Sequence, residues 1–315
     1  RCSSPRLERK AMLVVAALGG NALLQRGEPL TAEAQRANVA TAAASLARII
    51  EAGHQLVVTH GNGPQIGLLA LQGAAYKPDE VFPLDVLGAE TDGMIGYLIE
   101  QELENALGHD RPVATLLTQV EVDPKDPAFA RPTKFIGPVY DKAEAERLAQ
   151  ARSWSIAADG AHWRRVVPSP MPMDIPDLRV LQLLLEQDVT LICAGGGGIP
   201  VVRRPDGSLI GIEAVIDKDH ATALLAHKLN ADALLLLTDV EAVFRDFGTE
   251  AQSAIDRITP EDAGHLDLPD GSMAPKVAAA ATFVSDRARF ASVGRLEDAL
   301  AMLEGRAGTM IAEAD

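Results

Sequence analysis

Aromatic side chains are scarce in this chain: Phe, Trp and Tyr make up 4% of its 315 residues, and only two are Trp. Any core must therefore be built from Ala, Val, Leu and Ile, within a hydrophobic fraction of 47%. That composition suits buried parallel strands covered by Ala-rich helices. Cysteine is nearly absent as well. Cys2 lies near the start and Cys193 inside an apolar run, with no Cys-x-x-Cys and no histidine cluster at metal-ligand spacing. This excludes a disulfide framework and a structural zinc, and it points to a reducing cytoplasm. Basic residues are outnumbered, 29 Lys and Arg against 44 Asp and Glu, for a formal net charge of −15. Such a field repels nucleic acid and anionic membranes, so neither is expected as a partner. No run reaches the roughly 18–20 apolar residues of a membrane span. Nor is there a Walker GxxxxGK[ST] sequence, a kinase-type glycine loop with its partners, or an obvious His–Asp pair within the motifs.

What the chain does have is a recurring unit: a short apolar strand that stops at glycine or small polar residues. The stretch from Leu13 to Ala22, LVVAALGGNA, stops at Gly19, Gly20 and Asn21. Leu56 to Thr59 runs into His60-Gly61-Asn62-Gly63-Pro64-Gln65, and Val113 to Leu117 into Thr118-Gln119. Val189 to Ala194 ends at Gly195-Gly196-Gly197-Gly198, and Ala233 to Leu237 at Thr238-Asp239. In an open parallel sheet all these ends share one edge, and that edge is where ligands sit. Glycines there let an anion approach the backbone N–H donors, and Asn21 can add a side-chain amide.

Helices fill the intervals. Thr31 is a good N-cap, and Val39, Ala43, Leu46 and Ile50 carry a helix to Gly53 as its C′ residue. Leu84 to Leu107 reads as one or two helices, and Pro176 opens another through Leu181, Leu184 and Leu185. Val201 to Ile212 reads as a hairpin around Arg204-Pro205-Asp206-Gly207-Ser208. A strand near Arg289 to Val293 and a helix from Leu296 to Leu303 close the fold. The expectation is one α/β domain over residues 12–315, with residues 1–11 as a tail. The apolar run after that tail carries the Gly-Gly-Asn turn, which argues against a signal peptide. Residues 122–172 are rich in proline and contain both tryptophans, Trp154 and Trp163. An interruption of that length is read as a protruding subdomain or lid.

Against an acidic background, lysines inside motifs carry the information. In Asp217-Lys218-Asp219 either acid can cap the following helix. Neither explains a lysine at the positive end of a helix dipole, unless an anion is held there. Lys276, in Gly271-Ser272-Met273-Ala274-Pro275-Lys276, poses the same question. Lys134, in Arg131-Pro132-Thr133-Lys134-Phe135-Ile136-Gly137-Pro138, reads on its own as a solvated lysine in a proline-stiffened loop. Together these residues suggest polyphosphate handling.

Eight stretches in order, LGGNAL at Leu18, HGNGPQ at His60, PTKFIGP at Pro132, WRRVVPSPMP at Trp163, GGGGIPVV at Gly195, EAVIDKD at Glu213, LTDVEAVF at Leu237 and GSMAPK at Gly271, resemble the carbamate kinase branch of the amino-acid kinase family. The resemblance covers nearly all of Met12 to Ile311. It implies a three-layer αβα sandwich around a mainly parallel sheet, with a protruding subdomain over the site, in a homodimer. It also implies reversible phosphoryl transfer between MgATP and carbamate, with Mg²⁺ arriving on ATP or ADP and carbamoyl phosphate as the phosphorylated partner. By the same resemblance Gly19, Gly20, Asn21, Gly61, Asn62 and Gly63 would hold carbamate and the moving phosphoryl group. Lys134, Lys218 and Lys276 would supply positive charge, and Asp219 would orient the lysines. Asp217, Asp239, Val243, Met273 and Lys276 would border the nucleotide, and His60 would organise its loop rather than act as a base.

Many relatives that phosphorylate acetylglutamate, aspartate or nucleotides carry a lysine just before the first Gly-Gly. Here Ala16-Ala17-Leu18 fills that place, and Lys134 is the available substitute. Two stretches depart from the branch pattern, Gly88-Ala89-Glu90-Thr91-Asp92-Gly93 and Arg289-Phe290-Ala291-Ser292. They leave open a related kinase for another small acid or a phosphonate.

Overall fold

The computed structural model describes residues 11–20, 23–24, 28–29, 31–77, 80–268, 273–284 and 289–314. Cys2, Asn21, Gly271 and Ser272 lie outside the described residues. In chain order the elements are β1 (Leu13–Leu18), α1 (Ala32–Glu51), β2 (Gln55–His60), α2 (Gly63–Tyr76), α3 (Leu84–Ala106), β3 (Val113–Leu116), β4 (Gln119–Val122), β5 (Lys134–Tyr140), α4 (Lys142–Arg152), β6 (Ser155–Asp159), β7 (His162–Val167) and β8 (Pro172–Asp174). The chain continues through α5 (Leu178–Leu185), β9 (Thr190–Cys193), β10 (Ile199–Arg203), β11 (Leu209–Gly211), α6 (Lys218–Lys228), β12 (Ala233–Thr238), β13 (Phe244–Arg245), β14 (Ser253–Ala254), β15 (Arg257–Ile258), α7 (Pro260–Ala263), α8 (Met273–Val284), β16 (Phe290–Arg295), α9 (Ala299–Leu303) and β17 (Thr309–Ala312).

Among the described residues the main sheet has eight strands in the order β15-β17-β16-β12-β1-β2-β9-β3. From β16 through β3 the neighbours run parallel. Parallel strands covered on both faces are apolar throughout, and β1 reads LVVAAL with five of its six residues buried. Alternation then divides the core. Val14, Ala16 and Leu18 pack with Leu46 of α1, Ile95 of α3 and Met302 of α9, whereas Val15 and Ala17 pack with Leu181 of α5, Leu225 of α6 and Phe283 of α8. Two helical layers thus enclose the sheet, giving the three-layer αβα sandwich expected from the sequence.

The caps fall where local chemistry puts them. Thr31 Oγ1 accepts the Ala34 amide at 3.2 Å, and α1 is followed by Gly53 at φ +90°. Residues 84–106 form one helix, α3, rather than two. Helix α5 begins at Leu178, two residues beyond Pro176. The expected hairpin is present, with Val202 opposite Ile210 in β10 and β11. The fold does not close on a helix: β17 follows α9 and adds to β16 in antiparallel fashion.

At the borders of residues 122–172, β4 and β8 join a four-stranded sheet of order β11-β10-β4-β8, and between them a separate three-stranded sheet, β5-β7-β6, occupies residues 134–167. This small sheet sits against α2 through bare main chain. A Cβ at Gly67 would stand 1.9 Å from Gly137 Cα, so the approach requires glycine at 67, while Gly137 takes the left-handed φ of +72°. The cap of α1 is open to a simple check. Thr31→Ala removes the α1 cap and is expected to lower stability by about 1 kcal/mol, read as a lower urea midpoint with an unchanged slope.

Candidate functional site

The parallel register brings the strand exits to one level. Leu18 pairs with Leu237 of β12 on one side and with His60 of β2 on the other, so three exit loops start side by side. Gly19 donates its amide to Leu237 O at 3.0 Å. Gly61 closes on the first loop: a Cβ there would lie 3.8 Å from Gly20 Cα and 4.0 Å from Lys218 Cδ. A Cβ at Gly63 would lie 4.0 Å from Phe135 O, next to Lys134 in the small sheet. The glycine loops, Lys218 and the start of β5 therefore share one neighbourhood.

Asp217 is the residue that caps α6. Its Oδ1 accepts the amides of Asp219 at 2.9 Å and His220 at 3.3 Å, and its Oδ2 takes Lys134 Nζ at 2.5 Å. With the cap filled, the Asp219 carboxylate is free to bridge two ammonium groups. Oδ1 accepts from Lys218 Nζ at 2.6 Å and Oδ2 from Lys276 Nζ at 2.8 Å. Three lysines from three separate segments thus converge on two carboxylates two positions apart. The first turn of α6 is also fastened to β2. Thr222 Oγ1 donates to Lys218 O at 2.7 Å and stands 2.6 Å from Thr59 Oγ1.

Burial shapes the electrostatics. It lowers Lys218 to about 8, with Asp219 opposing the shift and Lys276 adding repulsion. Burial also works to raise the Asp219 carboxyl, but Lys218 and Lys276 overcome it and hold the group far below the usual carboxylate range. At Asp217 burial again opposes ionisation, and Lys134 brings the net shift downward. The helices α2, α6 and α8 all begin in this region, and Lys218 and Lys276 lie in the first turns of α6 and α8. Their positive ends and the ammonium groups make it a place for a multiply charged anion.

The remaining expected residues divide. Asp239 stands at the exit of β12, accepting from Thr238 Oγ1 at 3.1 Å, and half-buried Met273 opens α8. Val243 differs: its side chain is buried in the core and its amide donates to Thr309 Oγ1 at 2.8 Å, so its side chain offers no surface to the pocket. Asn62 directs its side-chain amide inward, donating to Thr91 Oγ1 at 2.9 Å. No His–Asp pair stands out within the sequence motifs, yet the fold makes one, with His60 Nε2 3.4 Å from Asp92 Oδ1. Its signal was available: Asp92 interrupts the apolar face that Leu87, Ile95 and Leu98 give α3. Among the described residues no group of three or more His, Cys, Asp or Glu could hold a metal ion, and no helix is long and apolar enough to cross a membrane.

The profile of the amino acid kinase family matches residues 12–290. The chain belongs to the amino acid kinase family. Within that family it is 57% identical over 302 residues to a carbamate kinase of Rhizobium meliloti (strain 1021), covering 95% of this chain and 93% of the relative. Among solved structures of this amino acid kinase fold it resembles a Giardia lamblia carbamate kinase bound to citric acid, at 39% identity and a TM-score of 0.91, covering 96% of this chain and 99% of the other. The Giardia lamblia enzyme bound to AMP-PNP matches at 38% identity and a TM-score of 0.88, over 96% and 99% of the two chains.

The lysine–carboxylate cluster is open to direct titration. Lys218 Nζ should titrate near pH 8, followed by heteronuclear NMR on lysine-labelled protein. Asp219→Asn removes the strongest influence holding it up and should move the midpoint lower still. A midpoint at the ordinary lysine value would show that the ammonium is not desolvated.

Proposed function

We propose that the protein is a carbamate kinase, transferring a phosphoryl group reversibly between MgATP and carbamate and making ATP when carbamoyl phosphate is supplied. The observation that carries this reading is the convergence of Lys134, Lys218 and Lys276 on Asp217 and Asp219, beside the glycine loops of a chain 57% identical to a carbamate kinase. Carbamate is already an anion, so its oxygen attacks without a general base. What the transfer requires is in-line placement and neutralisation of charge on the phosphoryl oxygens. A lysine at about 4 Å from a unit negative charge contributes roughly 4 kcal/mol at an effective dielectric of about 20.

In this reading Gly19, Gly20, Asn21, Gly61, Asn62 and Gly63 line the place of carbamate and the moving phosphoryl group. Lys134, Lys218 and Lys276 neutralise it, and Asp219 orients the last two. Asp217, Asp239 and Met273 border the nucleotide, and Mg²⁺ comes with the nucleotide's phosphates. The enzyme works in the cytoplasm as a homodimer. Exposed Met94 and Tyr97, three residues apart on α3, support a face for a second copy.

Incubation with ADP, Mg²⁺ and carbamoyl phosphate should yield ATP, and chelation of Mg²⁺ should stop it. Absence of ATP would return the chain to a kinase for another small acid. Lys134→Ala should lower kcat by ~100-fold with the fold intact, as for loss of a transition-state contact. Gly67→Ala, which forces β5 away from α2, should lower kcat by ~10-fold or more. Combined with Lys134→Ala it should add nothing further, because both act through the same ammonium group.

A further inference from the structure

Asp92 is a carboxylate with no exposed surface, on the face of α3 that also carries buried Ile95 and Ile99. Neither of its oxygens has a hydrogen bond from the described residues, and the group facing Oδ1 is His60 Nε2 at 3.4 Å. A buried carboxylate is kept only where a partner compensates the lost water. The other ring nitrogen of His60, Nδ1, lies 3.1 Å from Gly61 O. A carbonyl only accepts, so Nδ1 carries a hydrogen and donates it. One further proton, on Nε2 or on the carboxyl, completes the Nε2–Oδ1 contact, and the ring then joins Asp92 to the main chain of the second glycine loop.

One residue earlier on α3, Thr91 repeats the arrangement. It donates to Gly88 O at 2.9 Å and accepts the Asn62 side-chain amide at 2.9 Å. Both contacts depend on room left by the glycine run after β9. A Cβ at Gly195 would stand 2.0 Å from Asp92 Oδ1 and 2.4 Å from His60 Nε2, and one at Gly196 would stand 2.1 Å from Asn62 Nδ2. Two adjacent residues of α3 therefore grip two residues of the loop, and two adjacent glycines make the space.

We propose that Asp92 and Thr91 are positioning residues, holding the Gly61–Gly63 main chain through His60 and Asn62 in the orientation that phosphoryl transfer uses. The proposal rests on the carbamate kinase reading of that loop. On this account the acidic Gly88–Gly93 stretch serves as the anvil beneath the loop. The geometry follows the pattern by which carboxylates orient histidines behind metal ligands, with a peptide loop in place of the metal.

The test has two readouts. In the substrate-free wild-type protein, nitrogen NMR of the His60 ring should show Nδ1 protonated and slow to exchange; an unprotonated Nδ1 overturns the link. In kinetics, Asp92→Ala should raise KM for carbamoyl phosphate and lower kcat, cutting kcat/KM by about 100-fold as expected for a misplacement near 1 Å. The calorimetric Kd for ADP should stay within about twofold of wild type, since the loop binds the other substrate. Asp92→Asn, whose amide can either accept from or donate to Nε2, should recover most of the loss. Wild-type KM and kcat in Asp92→Ala, with only a lower Tm, would make Asp92 a stability residue and overturn the proposal. Should Asp92→Ala fail to fold, Thr91→Val deletes the hydroxyl under Asn62 and should still lower kcat/KM by about tenfold; an unchanged value there counts against it equally. A wild-type protein that makes no ATP refutes the carbamate reading alone, and the His60 spectrum still decides whether the link exists.

Discussion

The Asp219 carboxylate, held between the ammonium groups of Lys218 and Lys276, is the contact on which the rest of the site depends. Those two lysines sit in the first turns of α6 and α8. Without an anion between them, two like charges and two positive helix ends would repel one another in a place where water screens poorly. Removing one partner of a buried pair strands the other charge, which is why such clusters resist piecemeal change. Asp217, two residues earlier, plays the same part for Lys134 and caps the helix with its other oxygen. The first turn of α6 is thus the hub at which three segments far apart in sequence meet.

The parallel sheet makes this hub possible by delivering strand exits at one level. Alternating side chains satisfy a helical layer on each face, so the strand ends are left to loops built of glycine and small polar residues. Those loops are not held by their own contacts alone. The glycine run after β9 leaves gaps that admit Asp92 Oδ1 and the Asn62 amide, and α3 thereby supports the second loop from beneath. Positive charge above and a hydrogen-bonded frame below are separate contributions, made by different helices.

Much of this was legible in the residues. Strand–glycine units, the Thr31 cap and the Gly53 stop are local signals, and local signals survive folding. Lys218 and Lys276 stood out because an acidic chain had placed them at helix starts, whereas Lys134 read on its own as a solvated loop lysine. The two candidate caps before α6 could not be ranked from sequence, since Asp217 and Asp219 are both good N-cap residues; only the direction of the helix start assigns Asp217 to the amides and Asp219 to the lysines. Asp92 was marked by its place on an apolar helix face, but its partner His60, a long stretch of chain away, could not be read from that mark. The inward turn of Asn62 and the burial of Val243 depend on neighbours from other elements, Thr91 and Thr309. Strand β17 escaped because four residues after a short helix carry too little pattern to reveal an antiparallel partner.

The mounting of Lys134 on the small three-stranded sheet, seated on α2 by the bare Gly67–Gly137 contact, has an electrical consequence. Lys218 and Lys276 are matched in number by Asp217 and Asp219, so the main body on its own presents a balanced cluster. The surplus cation belongs wholly to the appended sheet. Attraction for a polyanion is therefore a property the two parts possess only in company, and the width of a glycine governs how closely they keep it.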